Sequence, residues 1–177
     1  MLKPEFFERS AVEVAKNLLG CLLCVRKNGK VHKSKIIETE AYEGPNDLAS
    51  HASRGRTPRN EVMFGKPGIW YVYFIYGMYN MLNIVCGKEG HPAAVLIRGV
   101  TGFKGPGRLT KSLGIDRGFN GLESCRKIGL WIEAGNWPKI HGREKMDNRK
   151  IKKLPRAGVD YAGQVWSKKL YRFVLEG

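Results

Sequence analysis

The spacing of apolar positions changes several times along the chain, and each change marks an element. Val12, Ala15, Leu18 and Leu19 recur at helical spacing, and Ser10-Ala11-Val12-Glu13 is a capping-box pattern, with the serine capping the first turn and the glutamate reaching back. Gly20 supplies the stop. Cys21 to Arg26 then reads as a strand, Asn28-Gly29 as a two-residue hairpin turn, and Ile36 to Tyr42 as the return strand, broken by Gly44-Pro45-Asn46-Asp47. Residues 46–68 read as loop plus short helix, with Thr57-Pro58 as cap and first helical position.

The stretch Ile69 to Asn83 predicts two apolar strands joined by a tight turn at Tyr76-Gly77. Trp70, Tyr71 and Phe74 fit a sheet packed on both faces, whereas Tyr73, nearest the turn on its face, can wall a pocket. A large aromatic beside the turn glycine cannot be buried by its own hairpin, which marks Tyr76. Ala93 to Gly99 predicts another strand, and Gly105-Pro106-Gly107 precedes a helix from Arg108 to Leu113. Further on, Leu122 to Ile128 predicts helix, Leu130 to Glu133 a strand, residues 135–156 an exposed basic loop, and Val165 to Leu175 the last strand. With no repeat, low-complexity tract or interior linker, the pattern predicts one α+β domain, residues 1–177, around a mainly antiparallel sheet flanked by short helices.

Charge adds a partner to this picture. Lys and Arg number 31 against 16 Asp and Glu, a formal charge of +15, which favours encounter with a polyanion. On such a surface an aromatic at a turn tip points to a side chain pushed between stacked bases. No apolar run reaches membrane-spanning length and the first residues lack a signal-peptide core, so the expected location is the cytoplasm, or the nucleoid or nucleus where DNA lies, with no membrane partner. Cys21 and Cys24 have C-x-x-C spacing, but Cys86 and Cys125 do not form the second close pair of a zinc site, so buried reduced thiols are expected.

Glu40 lies near a strand end among apolar neighbours, with Tyr42 two residues on and on the same face; a carboxylate beside an aromatic can activate water next to a stacked base. Glu38 shares that face and reads as a solvent-facing strand residue. Arg98 ends the run Ala94 to Ile97, and a buried arginine there calls for a carboxylate, with Glu40 the candidate. Asn83, polar within Leu82-Asn83-Ile84-Val85, either pins the core or faces a ligand. Glu38, Glu40, Asp47 and His51 match no metal-ligand spacing, so no metal is expected. Gly105-Pro106-Gly107 opening a helix is a weak phosphate-binding signal.

Taken in order, Glu38-Thr39-Glu40-Ala41-Tyr42, Gly44-Pro45, His51, Arg54-Gly55, Thr57-Pro58-Arg59-Asn60, Met63-Phe64, Tyr71-Val72-Tyr73 and Tyr76-Gly77-Met78 resemble the alkyladenine (3-methyladenine) DNA glycosylases of the type without a helix-hairpin-helix. The likeness continues through Asn83, Val95-Leu96-Ile97-Arg98 and Gly105-Pro106-Gly107-Arg108-Leu109, and is densest from Ile37 to Leu109. It implies a curved antiparallel sheet in one mixed domain. It also implies a monofunctional hydrolase, without cofactor and as a monomer, that flips alkylated or deaminated purines from double-stranded DNA and leaves an abasic site.

The resemblance further implies roles for single residues. Glu40 would be the general base and Arg98 the arginine holding the catalytic centre. Tyr42, His51 and Tyr73 would be the base-pocket walls, Tyr76 the intercalating wedge, and Asn83 the residue crowding the exocyclic amine of guanine. Met63 and Tyr79 would be minor-groove contacts, with Arg59 a further DNA contact. Gly99 to Lys104 make a shorter connection between the arginine and Gly-Pro-Gly than the family usually carries, and Lys168-Lys169-Leu170 stands where a proline after a lysine is usual. Rival readings are a non-catalytic nucleic-acid-binding module, a metal-dependent nuclease built on the acidic residues near Glu40, and a lyase using a lysine amine.

Overall fold

The computed structural model describes residues 1–135, 139–140, 143–144 and 151–176. The capping box forms as its residues dictate. The Ser10 hydroxyl accepts the Glu13 amide at 3.3 Å and donates to the Glu13 carboxylate at 2.9 Å, starting α1 (Ala11–Leu18). The buried face is Ala11, Val14, Ala15 and Leu18, so Val12 sits at its edge rather than in its centre. Ser10→Ala removes the cap and should lower stability by about 1 kcal/mol, read as an earlier urea midpoint.

The next strands, β1 (Leu22–Lys27) and β2 (Lys30–Glu43), join through Asn28 and Gly29, whose φ values of 51° and 74° suit the positive-φ residues of a tight hairpin. A second hairpin follows as β3 (Trp70–Ile75) and β4 (Tyr79–Val85), then β5 (Ala93–Val100) and a short β6 (Phe103–Lys104). Helix α2 (Pro106–Leu113) begins two residues before the expected Arg108, with Gly105 as its N-cap. The remaining strands are β7 (Leu130–Glu133), β8 (Lys139–Ile140), β9 (Arg143–Glu144), β10 (Ile151–Leu154) and β11 (Arg172–Leu175), with α3 (Gly163–Lys168) before the last.

The sheet has nine strands in the order β10-β11-β2-β5-β4-β3, with β1 also on β2, β7 on β1, and β6 on β5; β8 and β9 pair separately. Among the described residues every named strand pair is antiparallel, and the class is α+β. Residues of α1 pack with Ala41, Trp70, Leu82, Ile84, Val95, Ile97 and Phe173 in the main core, and the Thr39 hydroxyl donates to the Ala15 carbonyl at 2.9 Å. Among the described residues no helix is long and apolar enough to cross a membrane. Cys24 and Cys86 are buried free thiols, Cys21 is buried with its Sγ donating to the Asn17 carbonyl at 3.3 Å, and burial pushes the Cys24 thiol up to about 11.

Four expectations change. Leu122 to Ile128 is not helical; it is held by bridges Ile69–Glu123 and Cys125–Leu130, which draw it along the sheet. The first half of Val165 to Leu175 is α3, and only Arg172–Leu175 is strand. Thr57 caps a turn rather than a helix: its hydroxyl accepts the Asn60 amide at 3.4 Å, its amide donates to Asn60 Oδ1 at 2.7 Å, and the 3₁₀ helix starts at Glu61. Of residues 135–156, expected as a loop, those of β8, β9 and β10 are strand, and 136–138, 141–142 and 145–150 lie outside the described residues.

Two features of the sheet position the chemistry. Register shifts between Ile36 and Glu38 and between Glu38 and Thr39 break the β2–β5 ladder just before Glu40, the kind of irregularity that bends a strand and re-aims its side chains. The β3–β4 hairpin also outruns its neighbour, since β5 pairs β4 only at Asn83, Ile84 and Val85. The distal part of the hairpin is therefore a two-stranded arm. This explains why Phe74, expected to be packed, is 43% exposed.

Candidate active site

Strand pairing lines up Arg172 opposite Glu40, Glu40 opposite Leu96, Leu96 opposite Asn83, and Asn83 opposite Tyr71. Residues directly opposite in antiparallel strands share a face, so one row across β11, β2, β5, β4 and β3 carries four polar side chains. Period-two alternation then adds Tyr42 beside Glu40 and Tyr73 beside Tyr71.

Glu40 has no solvent exposure. Its Oε1 accepts the Ala157 amide at 2.8 Å, and its Oε2 accepts the Tyr42 hydroxyl at 3.0 Å and Arg98 Nη1 at 3.3 Å. Burial raises its ionisation above the ordinary carboxylate range, while Arg98, the Ala157 N–H, the Tyr42 hydroxyl and Arg172 oppose that rise. The carboxylate is thus a stronger base than usual, held by three donors. Burial, then Glu40 itself, keeps the Tyr42 phenol protonated.

His51 approaches over the other end of the row. Its Nδ1 lies 3.0 Å from the Tyr71 hydroxyl, and its ring meets Tyr73 edge-on at 4.6 Å between centroids. Burial, followed by Arg59, lowers the His51 ionisation, so the imidazole is neutral near pH 7. Burial pushes the Tyr71 phenol up to about 12, so it stays protonated and able to donate. Tyr71 and Tyr73 lie 5.2 Å apart, and the Arg59 guanidinium stands 5.6 Å from the Tyr73 ring. Asn83 is buried, and its amide nitrogen donates to the Tyr71 and Met81 carbonyls at 3.1 Å each, which fixes the side chain in the row.

At the end of the arm Tyr76 is 79% exposed with φ 53°, a left-handed conformation uncommon for a bulky residue and often found at functional sites. Met78 at 63% and Tyr79 at 38% exposure flank it. A Cβ on Gly107 would fall 2.4 Å from the Tyr79 ring, so only glycine lets α2 brace the arm there, aided by the Thr110 hydroxyl donating to the Asn80 carbonyl at 2.9 Å.

Two site expectations need correction or enlargement. Met63 is 2% exposed and packs with Ala52, Tyr71, Val85 and Ala94, so it is a core residue and does not reach a groove. The exposed methionine beside Tyr76 is Met78, because turn residues cannot be covered by their own strands. Glu38 is not a bland surface residue: it accepts Arg98 Nε at 3.0 Å and lies 3.9 Å from Arg172 Nη1.

Arg156 carried no functional reading from sequence and Asp47 only that of a metal ligand whose spacing did not fit, yet they form a wholly buried pair. Arg156 Nη2 meets Asp47 Oδ1 at 2.8 Å and Nη1 meets the other oxygen, with the guanidinium between the Tyr42 and Tyr171 rings at 4.9 and 5.3 Å. That pair docks the segment whose next residue, Ala157, gives its amide to Glu40. Asp47 is thereby committed to Arg156 and His51 to Tyr71.

Two cavities of about 530 Å³ lie outside this row. One is lined by Ile37, Phe103, Lys104, Arg108 and Lys111, the other by N-terminal residues with Lys66, Lys88 and Cys125.

The row thus holds a shielded carboxylate bound by guanidinium, amide and phenol, beside aromatic rings, on a strongly basic protein. The methylpurine-DNA glycosylase (MPG) family model matches residues 5–103 and 101–177, and the chain belongs to that family. Relatives whose names contain 3-methyladenine DNA glycosylase include one from Methanocella arvoryzae, 42% identical over 93% of this chain and 87% of the relative. Another, from Myxococcus xanthus, is 42% identical over 97% and 88%, and a third, from Legionella pneumophila, 42% over 99% and 94%. The chain is a DNA N-glycosylase of DNA repair, a hydrolase of N-glycosyl bonds.

Proposed function

We propose that residues 1–177 act as one glycosylase domain, as a monomer, removing alkylated and deaminated purines from duplex DNA by base flipping and leaving an abasic site. The observation that carries this reading is Glu40, fully buried yet held by Arg98, the Ala157 amide and Tyr42 on the sheet face that also bears Tyr73, against which His51 packs.

Rotating a nucleotide out of the stack costs a few kcal/mol, least for a damaged pair. Tyr76 fills the vacated space, already held outward by its turn, while Met78 and Tyr79 lie along the minor groove and Arg59 meets the backbone. In the pocket Tyr42 and Tyr73 offer electron-rich faces, worth about 0.5–2 kcal/mol to a cationic alkylpurine. Neutral His51, accepting the Tyr71 phenol proton at Nδ1, keeps an Nε2–H to offer the nucleotide. Asn83, immobilised by two backbone carbonyls, excludes guanine by clash. Ionised Glu40 takes a proton from water as it attacks the sugar carbon; the C–N bond breaks and the purine leaves with its electron pair. A cationic base leaves without acid assistance.

Duplexes bearing 3-methyladenine, ethenoadenine or hypoxanthine, scored for free base, test the reading; intact bases in all three would refute it. Tyr76→Ala should weaken binding to a lesion duplex by about ten- to a hundredfold, on the scale of a lost aromatic stack, and binding to undamaged duplex much less. Equal losses in a gel-shift titration would make Tyr76 a plain groove contact.

A further inference from the structure

The sheet face around Glu40 holds two carboxylates, Glu38 and Glu40, and Arg98 touches both, through Nε at 3.0 Å and Nη1 at 3.3 Å. One guanidinium cannot neutralise two carboxylates, so the trio alone leaves a net negative charge around a fully buried Glu40. The second cation is Arg172. Strand pairing puts it directly opposite Glu40, and its Nη1 lies 3.9 Å from the Glu38 oxygen that accepts Arg98 Nε. Its Nε is buried and has no hydrogen-bond partner among the described residues, so that nitrogen is desolvated without a bond in return. Such a placement is costly unless the charge has work to do.

We propose that Arg172 and Glu38 are positioning residues for the glycosylase reaction: Arg172 neutralises Glu38, and Glu38 fixes the Arg98 guanidinium against Glu40. The chain Arg172–Glu38–Arg98–Glu40 spans β11, β2 and β5, so its geometry is set by strand register. Neither positioning residue touches the reacting atoms. The remaining groups that face Glu40 are Tyr42 on β2, Tyr73 on β3, and Arg156 with the Ala157 amide on the segment before α3. Arg156 is committed to Asp47, so Arg172 is the cation that balances Glu38.

The inference rests on Glu40 being the base, and the test separates the two. Single-turnover base release from a 3-methyladenine duplex is measured against pH, where the rate falls as Glu40 becomes protonated. Arg172→Gln should move that midpoint to higher pH by about one unit and slow release about tenfold well below it. Glu38→Gln, which keeps an amide oxygen for Arg98 Nε but removes a like charge, should move the midpoint to lower pH. The double variant should return close to the parent, and Arg172→Lys, which keeps the charge, should stay there. If Arg172→Gln does not fold, Glu38→Gln and Arg172→Lys carry the comparison.

A purely structural role predicts slower release with no opposed movement of the midpoint. Shifts in one direction, or none, with Glu40→Gln inactive, would overturn the chain of ion pairs and leave the base assignment standing. Parental turnover by Glu40→Gln would overturn both.

Discussion

Glu40→Gln should bind lesion duplex as the parent does and release base about 10²–10⁴-fold more slowly, the usual contribution of a general base. The side chain is fully buried, so its removal takes no contact from the DNA-facing surface. Glutamine keeps an oxygen for the Ala157 amide but cannot accept a proton from water. The fold should not suffer. Burial raises the ionisation of Glu40 above its unfolded value, so its stabilising effect is complete below the ordinary carboxylate range and is lost as pH rises through the raised value. At neutral pH the buried charge of Glu40 costs folding energy that glutamine relieves, but glutamine also takes an acceptor from Arg98 Nη1, which keeps Glu38; the two effects oppose, and the variant should melt near the parental temperature. Calorimetry with single-turnover kinetics reads both effects. A variant that is slow because it is unfolded would show a lower melting point, contrary to this expectation.

Asp47→Ala should be the most destabilising change in the site. Asp47 and Arg156 have no exposed side-chain surface, and removing one member of a buried pair leaves an uncompensated charge, at a cost of about 3–5 kcal/mol. For a chain of this size that lowers the melting temperature by roughly 6–20 °C. Activity should fall as well, because Arg156 also donates to the Ala41 carbonyl at 2.9 Å and holds Ala157 against Glu40. Replacing both partners with apolar residues, as in Asp47→Leu with Arg156→Met, should recover much of the stability. It should recover less of the activity, since the Tyr42–Arg156–Tyr171 stack is also lost. A thermal melt of the three proteins checks the order.

The legible parts of the sequence were those where local chemistry decides the structure. Ser10 and Glu13 announce α1, Asn28-Gly29 the first hairpin, and Tyr76-Gly77 the exposed tip, because each depends on residues within four positions. The Glu40–Arg98 contact was legible for a different reason: a charged residue closing an apolar run must find a counter-charge. Contacts set by long-range pairing were hidden. Arg172 reaches Glu38 through the β2–β11 register, and Arg156 reaches Asp47 across 109 positions of the chain. Met63 was misread because a methionine near the wedge in sequence need not be near it in space; Met78, in the turn itself, is the exposed one. Period alone also failed in the last segment, where Val165 to Leu175 is too short to separate a helical turn from a strand.

The most direct measurement is product analysis after parent protein, in excess, acts on a duplex with a single 3-methyladenine. Hydrolysis by a Glu40-activated water predicts free 3-methyladenine equimolar with abasic sites, an unbroken strand and no protein–DNA adduct on borohydride treatment. Strand breaks without free base, or a trapped adduct, would contradict it.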